Sequence, residues 1–170
     1  MEYRFETRYN SETMAVMAKA LRKTVRKRHS RRSHTLGWGI AVLGGGLALF
    51  HVALDFRTVI ALSAVFAIVV ALLFEDRING AVAAKRLLPG TEQAVTVFSE
   101  EGFVSATQVG RTEWSYDKIE IIAEIGDFFV FVFSANHGQL YDKRRLTGGS
   151  EAEFRCMIQR VTGKEIQKIS

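Results

Sequence analysis

The stretch "KALRKTVRKRHSRRSH", Lys19 to His34, holds eight lysines and arginines in sixteen residues and no acid. It runs directly into "TLGWGIAVLGGGLALFHVAL", Thr35 to Leu54, which contains no Asp, Glu, Lys or Arg. Cations pressed against an uncharged apolar run are the mark of a membrane span and its flank, because cytoplasmic segments beside spans carry an excess of Lys and Arg.

The apolar run from Leu36 to Leu54 is followed by a second, "TVIALSAVFAIVVALLF", from Thr58 to Phe74, with only "DFR" (Asp55 to Arg57) between them. At about 1.5 Å per residue the two helices reach roughly 28 and 26 Å, close to the hydrocarbon thickness of about 30 Å. Three residues of link force the second helix back antiparallel beside the first. The reading is a transmembrane hairpin over 36–74, with spans 36–54 and 58–74. A chain of 170 residues leaves no soluble core large enough to hide both runs. A signal peptide would begin nearer the N-terminus and end in a small-residue cleavage site.

Small residues recur every fourth position on each run: Gly37, Ala41 and Gly45, then Ser63, Ala67 and Ala71. That spacing lets helix backbones approach where no hydrophobic effect drives them together, although Gly and Ala are common in spans generally. His51 is the one strongly polar member of the first run. It lies one turn from the end, where interfacial packing is favoured over proton or metal chemistry.

The block places eight cations directly before the hairpin, Arg57 alone lies in the link, and Arg77, Lys85 and Arg86 follow. Both termini are therefore expected in the cytoplasm, in a multi-pass arrangement with 55–57 outside. The formal charge of +5 is local, since the block alone supplies eight positive charges and the rest of the chain is net acidic. No aromatic residue interleaves the cations, which excludes nucleic acid as a partner. On a helical wheel Met14, Met17, Leu21 and Val25 form one stripe and Lys19, Arg22, Lys23 and Arg26 another. The segment 11–35 thus reads as a basic amphipathic helix. It lies either on anionic lipid headgroups or on the protein's own soluble part. A linker is expected over 75–91.

From 92 to 166 the pattern changes to short strands: Ala94–Phe98, Phe103–Gln108, Arg111–Ser115, Ile119–Ile125, Phe128–Phe133 and Gly138–Tyr141. The turns "SEEG", "VG", "GD" and "NHG" separate them, and such tight spacing means antiparallel pairing. Ser150 with Glu153 forms a capping box for a helix whose apolar face is Phe154, Met157, Ile158 and Val161, closed by Gly163. The expected fold is α+β, a curved antiparallel sheet with this helix across it. "FFVFVF", Phe128 to Phe133, is apolar on both faces and must be covered twice. The alternating Tyr3, Phe5, Thr7 and Tyr9 mark 1–10 as a strand that returns to join that sheet, which splits the domain around the hairpin.

No residue set carries chemistry. His29, His34, His51 and His137 have no metal-ligand spacing. "GGG" at Gly44–Gly46 lies inside a span, and the lone Cys156 falls beside the apolar face of its helix as a partly buried, inert thiol. Glu100 and Glu101 read as a solvated turn. Neither a cofactor nor a metal site is expected. "DKRR" at Asp142–Arg145 is the one exposed cluster. Its Lys143, Arg144 and Arg145 either meet anionic lipid or an acidic partner, or add to the positive-inside bias.

The order of parts resembles the YcxB-like family of bacterial membrane proteins, whose C-terminal domain is similar to pleckstrin-homology folds. The residues that carry the resemblance are Trp114 with Ile119, Glu124, the strand Asp127–Phe133, and "LYDKRRL" at Leu140–Leu146. Within the last, Tyr141, Lys143, Arg144 and Leu146 fit the family pattern, and Asp142 stands where a proline is usual. The resemblance implies the bacterial plasma (inner) membrane and a pleckstrin-like domain holding an inserted hairpin, and it implies no activity. The function expected is a non-catalytic module presented to the bilayer, to anionic lipid headgroups or to a protein partner. The alternatives are a small transporter or channel subunit that self-associates through the small-residue stripes, and a membrane-bound enzyme.

Overall fold

The two faces of "FFVFVF" are covered from two directions, and this sets the architecture. In the computed structural model, which describes residues 2–50 and 55–170 (without the side chains of 49 and 50), the chain is α+β with two sheets and five helices. Strand β1 (Tyr3–Arg8) leads into α1 (Ser11–Lys23), α2 (Lys27–Phe50), α3 (Phe56–Leu73) and α4 (Glu75–Lys85). Strands β2 (Gln93–Phe98), β3 (Phe103–Ala106) and β4 (Arg111–Trp114) follow, then β5 (Ile121–Ile125), β6 (Phe128–Ser134) and β7 (His137–Asp142). A short β8 (Leu146–Thr147), the helix α5 (Glu151–Thr162) and β9 (Ile166–Lys168) complete the chain.

The first sheet has the order β4-β3-β2-β1-β8 and the second β7-β6-β5-β9. Every pairing is antiparallel except β5 with β9. Where one curved sheet was expected, there are two. Strand β1 sits inside the first, with Phe5 opposite Thr96 on one side and Leu146 on the other. Its alternation is the sheet period: Tyr3, Phe5 and Thr7 are buried while Arg4, Glu6 and Arg8 face out.

Phe129 and Phe131 of β6 point toward the first sheet, into an aromatic core with Phe5, Phe98, Phe103, Tyr141 and Phe154. Many of these rings meet edge to face, as Phe5 and Phe154 do at 4.7 Å between centroids, the arrangement that aromatic quadrupoles favour. Val130 and Val132, the alternate residues of the same strand, point the other way, onto Ala20 and Leu21 of α1. Helix α1 therefore packs its apolar stripe on the protein's own sheet. Helix α5 covers the aromatic core with Phe154, Met157 and Ile158. Its ends are local chemistry: Ser150 and Glu153 form the capping box, and Gly163 takes φ 64 at the C-cap.

Two segments differ from the sequence reading. The stretch 11–35 is not one helix, because the helix breaks at Thr24, whose φ and ψ are −107° and −98°. Like charges at i, i+4 (Arg22 with Arg26, Lys23 with Lys27) oppose continuation. The Thr24 hydroxyl instead donates to the Ala20 carbonyl, and the Arg26 side chain donates to the Ala135 carbonyl and to Asn136 Oδ1, both at 2.6 Å. The stretch 75–91, read as a linker, contains α4. It packs so closely on α1 that a Cβ at Gly80 would lie 2.4 Å from the backbone nitrogen of Ala15.

Candidate functional site

Helix α2 joins the second half of the basic block to the first apolar run, and α3 returns beside it. Gly37 lies against Leu72, where an added Cβ would meet Cδ2 at 2.9 Å, and Gly44 and Gly45 lie against Val65. Ala41, between them, is buried. The glycine and alanine stripe of α2 thus faces α3. The stripe on α3 does not return the contact, since Ser63, Ala67 and Ala71 are exposed and α3 offers Val65 and Leu72 instead. The outward surface of the pair is apolar, with Leu43, Leu47 and Phe66 each about 70% exposed. Phe56–Leu73 is long and apolar enough to cross a membrane, with a mean hydropathy of 2.4 and 6% of it buried. His51 lies outside the described residues.

Only Phe74 separates α3 from α4, and the first turn of α4 is acidic. Asp76 accepts from the Arg22 guanidinium at 2.7 and 2.5 Å. Glu75 Oε2 lies 2.6 Å from His34 Nε2 and 3.7 Å from Arg22 Nε. Two acids thus join α1, α2 and α4 where the apolar helices begin, and their charge also suits a helix N-terminus.

The basic residues singled out in the sequence separate into two kinds. Arg22 and Arg26 are engaged internally, as described above. Lys19 is half-buried, and Lys23 is exposed. In "DKRR" the three cations have three different surroundings. Lys143, expected at the surface, is withdrawn between Glu124 at 2.8 Å and Glu151 at 3.3 Å. Arg144 is exposed and holds Asp142 at 2.8 Å, while Arg145 is exposed. Asp142 accepts from the backbone N–H of Arg144, so its carboxylate caps the short turn that follows.

Glu124 is the centre of the Lys143 cluster. Arg155 donates to both of its oxygens, at 2.6 and 3.0 Å, and Lys143 adds a third bond. Those charges, Arg155 foremost, hold the carboxyl down at about 2. It stays ionised near neutral pH, so it locks β5 to α5 and does not shuttle protons. Both cations also stand over the Phe129 ring.

Sequence reasoning missed Glu75, Asp76 and Arg155, whose partners lie 41, 54 and 31 positions away. The signal for Glu75 and Asp76 is placement, two acids directly after an apolar run, and that for Arg155 is Glu151 one turn before it. Cys156, expected partly buried, is exposed, one step off the face that Phe154 and Met157 bury. His137 packs edge-on against Trp114. No family model, curated protein or solved structure matches this chain.

Proposed function

We propose that this chain is a non-catalytic integral protein of the bacterial plasma membrane. The apolar part of α2 and all of α3 form a two-span hairpin with both termini cytoplasmic. They hold a cytosolic pleckstrin-like module of the YcxB-like kind, which is presented to a protein partner or to anionic lipid. The supporting observation is exposure: α3 has a mean hydropathy of 2.4 with 6% of its span buried, and the core helix of a soluble protein would be mostly covered. Lys23, Arg144 and Arg145, all exposed, are the residues of those singled out that would face lipid headgroups.

The test is fractionation with a topology reporter. The full chain should stay in the membrane pellet at alkaline carbonate, and a reporter behind Ser170 should be active only in the cytoplasm. Release by carbonate, or a reporter active only after export, rules the reading out. A second reading, an oligomeric transporter or channel subunit, draws on the exposed Ser63, Ala67 and Ala71. Cysteine crosslinking at those positions in membranes would yield dimers on that reading and none on the first.

A further inference from the structure

The break at Thr24 brings the last turn of α1 and one face of α2 around a shared groove of about 570 Å³. Lys27, Arg31, His34 and Trp38 stand at the i, i+4, i+7 and i+11 positions that one side of a helix presents. Arg22 and Lys23 complete the lining from α1, and no Asp or Glu is part of it. Arg22 and His34 are already bound, to Asp76 and Glu75. Lys23, Lys27 and Arg31 are exposed, and among the described residues none has a side-chain hydrogen bond or an ion pair.

Three unmatched positive charges therefore line one groove. Lys27 and Arg31 are four residues apart on α2, where like charges repel, and an anion between them removes that repulsion. Trp38 stands at the other end of the groove, where α2 turns apolar. It is 43% exposed, beside the exposed Leu36 and Ile40. An indole has an apolar body and one N–H, which suits the level at which headgroups meet acyl chains. About 10 Å of helix separates Arg31 from Trp38. A free phosphate would use the cations and leave the indole unmet, whereas a lipid uses both. A zwitterionic lipid would bring its own ammonium against three cations.

We propose that this groove binds one anionic glycerophospholipid, its phosphate accepting from Lys27 and Arg31 and its acyl chain passing Trp38. The inference rests on the membrane reading and sharpens it. The lipid contact is made by the helix that enters the bilayer, at residues separate from the "DKRR" turn, and it selects a headgroup by charge.

The test places the full chain in bilayers of equal parts phosphatidylglycerol and phosphatidylcholine. Bromine, a short-range quencher of indole emission, is carried on the acyl chains of one lipid or the other. Emission lost by the wild-type chain beyond that lost by Trp38→Phe is the signal of Trp38. It should report enrichment of phosphatidylglycerol beside Trp38 on the order of tenfold. Lys27→Gln with Arg31→Gln should abolish the enrichment. Arg28→Gln with Arg32→Gln removes the same charge outside the groove and should keep it. Equal quenching by the two lipids would overturn the site and leave the hairpin standing, and quenching by neither would overturn both. Equal losses in the two double variants would mean diffuse attraction and no site. Displacement by glycerol 3-phosphate at matched ionic strength would give the groove to a soluble anion, which also overturns the proposal.

Discussion

The same side chain has opposite surroundings in the two halves of this molecule. Phe5 in the sheet domain is 0% exposed and touches aromatic rings on several sides. Phe66 on α3 is 71% exposed. In the sheet domain apolar residues alternate with polar ones, and their burial drives the packing. In the α2–α3 pair the large residues face out, and the contact between helices is made by Gly37, Ala41, Gly44 and Gly45. An apolar surface of this extent turned outward calls for a covering, lipid or protein. On the membrane reading proposed above, the difference between Phe5 and Phe66 is a difference of solvent.

The contrast can be broken by substitution, and the largest effect is expected at Phe5. Phe5→Ala should destabilise the sheet domain by about 4 kcal/mol, whereas Phe66→Ala should leave its denaturant midpoint unchanged. Next comes Glu124→Ala, which strands Arg155 and Lys143 and should cost about 3 kcal/mol in the same measurement. The pH dependence has a definite sign. The Glu124 carboxyl is lowered from an ordinary 4.5 to about 2, so its contribution is full above 4.5 and is lost as pH falls toward 2. Stability of the wild-type protein should fall through that window, and Glu124→Gln should flatten the slope.

The two close helix contacts give a smaller pair of effects. Gly80→Ala drives a methyl group into the Ala15 backbone and should cost about 2 kcal/mol by thermal unfolding. Gly37→Ala meets only the end of the Leu72 side chain, which can turn aside, and should cost under about 1 kcal/mol. Smallest of all, Arg144→Ala removes an exposed guanidinium from Asp142, whose carboxylate keeps its bond from the backbone N–H of residue 144, and should leave stability all but unchanged. A drop at Arg144 as large as that at Glu124 would erase the distinction between the withdrawn and the exposed halves of "DKRR".

How much of this was readable in the chain follows from the range of the signals. The α5 helix was legible from Ser150, Glu153 and Gly163, because a capping box and a left-handed C-cap are written within a few residues. The six strands from β2 to β7 were legible from turn chemistry and alternation. Helix α4 was hidden because its contact with α1 is made at Gly80, which has no side chain to register as apolar. Strands β8 and β9, two and three residues long, are too short for a period. Lys143 looked solvated because Glu124 lies 19 positions away, and only the fold brings them together.

The claim that α2 and α3 face lipid is tested most directly by one cysteine. With Cys156→Ser, the Phe66→Cys variant should resist a membrane-impermeant maleimide in intact membranes and react fully once detergent is added. Full reaction before detergent would contradict it.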